Sequence, residues 1–89
     1  MRSQTPDPQE AGLWQRKEEA AAAYTAQRGR LEELDQELRH RFAADRGEDI
    51  STWRELVARR NQARRDVRVA REAEERAADR WAEHVLRGG

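Results

Sequence analysis

From Trp53 to Val85 the same kind of residue returns every third or fourth position: Trp53, Leu56, Ala63, Val67, Ala70, Ala77, Trp81 and Val85, with Arg60 and Glu74 holding the same beat. That period belongs to a helix packed lengthwise on another helix, and no strand or irregular loop satisfies it over such a distance. Ala63, Ala70 and Ala77 recur at sevens, so a neighbouring helix can approach closely along that line. Arg60 and Glu74 interrupt the apolar seam, and buried charges of this kind serve register and partner choice more than stability.

The first half of the chain supplies the partner for that seam. Asp7-Pro8-Gln9-Glu10 reads as a helix start, with an N-cap acceptor, a proline at the first helical position and a glutamate at the third. Leu13, Ala20, Tyr24, Gln27, Leu31, Leu34, Leu38 and Phe42 then follow along one side. Gly12 and Gly29 each weaken this helix by about 1 kcal/mol relative to alanine, and Gly29 also admits a close helix contact. Between Asp45 and Ile50 the polar run with Gly47 suits a helix end, and Asp49 or Ser51 suits the cap of the next helix. The expected architecture is all-α. A flexible tail spans 1–6 and a helical hairpin 7–87, with helices over about 8–44 and 51–86 joined by a turn over about 45–50; residues 88–89 form a terminal tail. Two helices of roughly 35 residues, each about 50 Å long, joined by so short a connection lie antiparallel.

Charge supports the same pairing. With the turn near residue 47, facing residues have numbers summing to about 96. Glu32, Glu33, Asp35 and Glu37 then lie beside Arg59, Arg60, Arg64 and Arg65, Arg16 and Lys17 lie near Asp79 and Glu83, and Arg30 lies near Asp66. Surface pairs are worth at most about 1 kcal/mol each, but together they disfavour parallel or slipped alternatives.

Composition narrows the functional classes. The 18 basic and 18 acidic residues cancel, so no global field draws the chain to nucleic acid or anionic lipid. Cysteine is absent, which excludes disulfides, thiolate metal sites and a cysteine nucleophile, and fits a cytoplasmic setting. Met1 to Gln9 lacks the pattern of an export signal, and no apolar run approaches the roughly 18 residues of a membrane span. No cofactor or metal site is expected, because His40 and His84 fall near opposite ends of the hairpin.

A chain of 89 residues, 40 % of them charged, cannot bury a thick core alone. A two-helix hairpin also cannot enclose a tryptophan on all sides, so Trp14, Tyr24, Trp53 and Trp81 are the candidate partner-facing anchors. The expected function is a non-enzymatic interaction or assembly module, coiled-coil-like, pairing with itself into a four-helix bundle or with another helical protein. Two alternatives use the six arginines between Arg59 and Arg71 and their neighbours. In one, Arg54, Arg65 and Arg68 bind the nucleic-acid backbone. In the other, Arg60 and Arg64 hold an anionic substrate at the dimer interface of a small all-α enzyme.

Overall fold

The structure, a computed structural model, describes residues 7–44 and 49–88. Two helices, α1 (Pro8–Ala44) and α2 (Ile50–Gly88), pack antiparallel along their length as an all-α hairpin. The expected turn glycine, Gly47, lies outside the described residues. The α1 start follows the sequence: the Gln9 amide donates to Asp7 Oδ1 at 3.0 Å and the Ala11 amide to the Asp7 carbonyl at 3.0 Å. Of the two candidate caps for α2, the structure selects Asp49. Its Oδ2 accepts from the Ser51 hydroxyl at 2.7 Å, and the Thr52 amide donates to its carbonyl at 3.0 Å. The Ser51 hydroxyl, and after it the Ser51 amide, which donates to Asp49 Oδ1 at 3.4 Å, hold the Asp49 carboxyl below its ordinary pKa. Helix α2 runs on to Gly88, past the expected stop near residue 86.

The hairpin is a rod, 73 × 18 × 14 Å, with a radius of gyration of 20.1 Å against about 12 Å for a compact chain of this length. Its accessible surface is 7426 Å², where a compact monomer of this mass has about 5,400 Å². Among the described residues only Leu56 and Ala63 are buried, at 4 % and 2 % exposure. Every other seam residue is half-buried, because two helices cover each other along one line only.

That line is a strict heptad seam. On α1 it runs through Leu13, Lys17, Ala20, Tyr24, Gln27, Leu31, Leu34, Leu38 and Arg41; on α2 through Trp53, Leu56, Arg60, Ala63, Val67, Ala70, Glu74, Ala77, Trp81 and His84. Two expectations need correction. Phe42 is 76 % exposed and Val85 38 % exposed, and Arg41 and His84 take their places in the seam. The expected pattern took a step of four at each helix end where the seam takes three. Each residue turns about 100° around the helix, so that one extra residue carries the side chain off the seam onto its flank. Lys17 is a seam position that apolar periodicity passed over. Gly29 makes no close contact either: a Cβ added there meets nothing within 4 Å.

The register is one residue off the expected rule, as the facing pairs Trp14 with Trp81, Asp35 with Arg60 and Phe42 with Trp53 show. The expected charge zipper is sparser than the sequence suggests. Among the described residues, the ion pairs that cross between helices are Arg60 with Asp35 at 4.0 Å and, when the imidazole is protonated, His84 with Asp7 at 3.0 Å. Arg41 pairs with Glu37, Arg59 with Glu55 and Arg71 with Glu75, each one turn away on its own helix. An i,i+4 partner is already held at the right distance by the helix, whereas a cross-helix partner asks two long side chains to order together.

Candidate functional site: an aromatic-ended face

Heptad numbering brings out the asymmetry of the rod. With the α1 line through Lys17, Tyr24, Leu31 and Leu38 as position a, and the α2 line through Trp53, Arg60, Val67 and Trp81 likewise, each helix has one flank at position e and one at position g. In an antiparallel pair the two e flanks meet on one face and the two g flanks on the other. Seven large apolar side chains are left exposed among the described residues: Trp14, Phe42, Ile50, Val57, Val69, Val85 and Leu86. Five of these, Trp14, Phe42, Ile50, Val57 and Val85, occupy position e and so share one face. Val69 and Leu86 lie elsewhere.

The apolar surface on this face gathers at the two ends of the rod. At the turn end the Phe42 and Trp53 rings meet edge to face, 5.7 Å between centroids at 75°. Beside them a shallow cleft of about 280 Å³ is lined by Leu38, Arg39, Phe42, Trp53, Val57 and Arg60. At the open end the Trp14 and Trp81 rings meet at 5.1 Å and 62°. There the Lys17 ammonium lies 4.5 Å from the Trp14 centroid and 5.8 Å from that of Trp81, so one cation is shared by both rings. Asp7 closes this end by reaching the His84 Nε2 at 3.0 Å.

Of the four anchors expected from sequence, Trp14 is exposed on this face, at 44 %. Trp53, Trp81 and Tyr24 are half-buried in the seam, Tyr24 with the Arg28 guanidinium 5.5 Å from its ring centre. Phe42, expected in the core, and Ile50 and Val57 are the additional exposed groups. Their common heptad position was the signal in the sequence that marks them.

The opposite face is polar and alanine-lined. A cleft of about 330 Å³ there is bounded by Leu13, Arg16, Ala73, Arg76, Ala77 and Arg80. Gln27 Oε1 at the middle of the seam and Arg60 Nε toward the turn end are enclosed without a hydrogen-bond partner, polar positions that help to specify which residues face each other.

The arginines of the two alternative readings separate. Arg54, Arg65 and Arg68 are all exposed on the outer side of α2, and Arg65 donates to Gln62 Oε1 at 3.1 Å. Arg60 is half-buried beside Asp35, while Arg64 is exposed. Glu37 and His40 stand at the Glu-x-x-His spacing of carboxylate metal sites, but Glu37 is paired with Arg41, and no group of three metal-ligating side chains occurs among the described residues. No described helix is long and apolar enough to cross a membrane. No known protein family, curated protein or solved structure matches this chain.

Proposed function

We propose that the chain is a non-enzymatic interaction or assembly module that docks helices on the face carrying Trp14, Phe42, Ile50, Val57 and Val85. The observation that carries this reading is their placement: five of the seven exposed large apolar side chains share one heptad position, where chance would scatter them around both helices. A hairpin with two buried residues gains the surface coverage it lacks by seating another helix there. Aromatic side chains such as Trp14 and Phe42 are common energetic anchors of interfaces.

Two double variants test this. Phe42→Glu with Val57→Glu charges the face, and Val69→Glu with Leu86→Glu removes comparable exposed apolar surface away from it. Solution mass by light scattering, together with retention of any helical partner, is expected to fall for the first and to hold for the second. Equal behaviour of the two variants overturns the reading.

The competing reading, binding to the nucleic-acid backbone, draws on the common exposure of Arg54, Arg65 and Arg68 along one side of α2. It requires duplex retardation that weakens steeply with salt and is lost when Arg65 and Arg68 are replaced. No retardation at low salt removes it.

A further inference from the structure

Resting on that reading, we infer that the occupant of the face is a second copy of this chain lying in the opposite direction, so that the turn end of each hairpin covers the open end of the other. In this arrangement α1 packs over α1 of the second copy and α2 over its α2, about a two-fold axis that crosses the rod near Arg28 and Val67.

Three observations point to this occupant. The first is register. Reversal about the centre lays Ile50 over Val85, Val57 over Ala78 and Phe42 over Trp14 of the second copy, so each exposed large apolar group at position e meets an apolar group, while Ala21 meets Asp35. The second is size. The turn end presents the bulky Phe42, Ile50 and Val57, whereas the open end of the same face also carries the half-buried Ala21, Ala78 and Ala82. Head-to-tail stacking sets Val57 against Ala78 at both ends, while Phe42 meets Trp14 and Ile50 meets Val85. Stacking with the turn ends together crowds Phe42, Ile50 and Val57 of both copies at one end.

The third is charge, which changes sign along the face. Around the open end Asp7, Glu10, Glu18, Glu74 and Glu75 outnumber Lys17 and Arg71. Around the turn end Arg39, Arg54, Arg60 and Arg64 outnumber Glu32 and Asp35. Opposed stacking brings basic end to acidic end and sets Glu18 near Arg39 of the second copy. Stacking in the same sense puts like charge on like. The unfavourable contacts of the opposed pair lie at its centre, where Arg28 meets Arg28 and Arg64 meets Arg71. Exposed arginines can swing aside there, and Arg71 already has Glu75 beside it.

The face is also large enough. A helix the length of α1 spans about 55 Å, and with a width of 18 Å the face offers roughly 1,000 Å², above the about 800 Å² per partner of a standard stable interface.

The chain has no cysteine, so single cysteines report contacts without background. Ile50→Cys and Val85→Cys chains, mixed and oxidised, are expected to give a crosslinked dimer as the dominant product, far in excess of either variant alone, with the mass of two chains for the unmodified protein. A mixture of Phe42→Cys and Val57→Cys chains is expected to crosslink poorly, because the opposed pair holds those residues at opposite ends. If that second mixture crosslinks instead, the direction is overturned while docking on this face stands. A mass of one chain at high concentration overturns the second copy as occupant, and the face itself is then judged by whether the paired glutamate variants differ in partner retention. A dimer that neither mixture traps and that survives Phe42→Glu with Val57→Glu overturns both.

Discussion

The two ends of the rod begin from the same device, a pair of aromatic rings meeting edge to face across the helices, and finish it differently. At the open end, Trp14 and Trp81 sit under the Lys17 ammonium, and Asp7 joins the N-terminus of α1 to His84 near the end of α2. At the turn end, Phe42 covers one edge of Trp53 and is itself 76 % exposed, with an apolar cleft beside it. The open end therefore holds Trp81 half-buried within the chain and leaves Trp14 44 % exposed. The turn end leaves apolar surface for something else to cover. Equal ring geometry at two sites thus gives no measure of how much each site contributes to holding the monomer together.

The sharpest break of this comparison is a pair of aromatic truncations, measured by denaturation at concentrations where the mass is that of one chain. Trp81→Ala loses a half-buried indole, its ring partner and the shared cation, and is expected to cost about 2–3 kcal/mol, below the range for a fully buried tryptophan. Phe42→Ala is expected to cost about 1 kcal/mol, little more than the ring pair itself. Equal losses would show that the ends are closed alike. Association at higher concentration should follow the order of exposure, the reverse of the order in monomer stability, with Phe42→Ala lowering the mass despite its small effect on the monomer. Trp81→Ala should reduce the mass too, through Trp14, without melting all helicity; an unchanged mass counts against the open end's part in the interface.

Between the ends, Gly29→Ala supplies the control. Its added Cβ meets nothing within 4 Å, so the variant is expected to stabilise α1 by up to about 1 kcal/mol without altering either aromatic pair. Lys17→Gln removes the cation over the tryptophans and is expected to cost about 0.5–1 kcal/mol, with a change in tryptophan fluorescence confined to the open end.

The smallest effect lies at the start of α2. The Asp49 carboxyl titrates below its unfolded value because Ser51 donates to it. Its capping contribution is therefore present above the ordinary carboxylate pKa and is lost as pH falls through the depressed one. Amide signals of Ser51 to Trp53 in the wild type are expected to report that loss on the acid side. In Asp49→Asn, which keeps a capping oxygen without the charge, this titration should vanish.

Much of the fold was legible because it depends on neighbours in the chain. The cap at Asp7 and the heptad of leucines and alanines specify two long helices laid antiparallel within one residue of the expected register, while of the acidic and basic blocks Asp35 and Arg60 pair across among the described residues. The exposed apolar face was legible only in outline. The anchors named from residue type, Tyr24, Trp53 and Trp81, turn largely into the seam, while Phe42, assigned to the core, stands outside it. Residue type says that an aromatic group wants cover. It does not say which neighbour provides it.

By itself the sequence determined helicity, length, pairing direction and the polar interruptions of the seam, since period, caps and turn residues act over one or two turns of backbone. Only the tertiary structure decided whether each helix end steps by three or by four, and with it whether Arg41 or Phe42, His84 or Val85, points inward. One residue of rotation moves a side chain by about 100° around the helix. That angle is set by the packing of the two helices against each other, and it separates a core residue from one left on the surface.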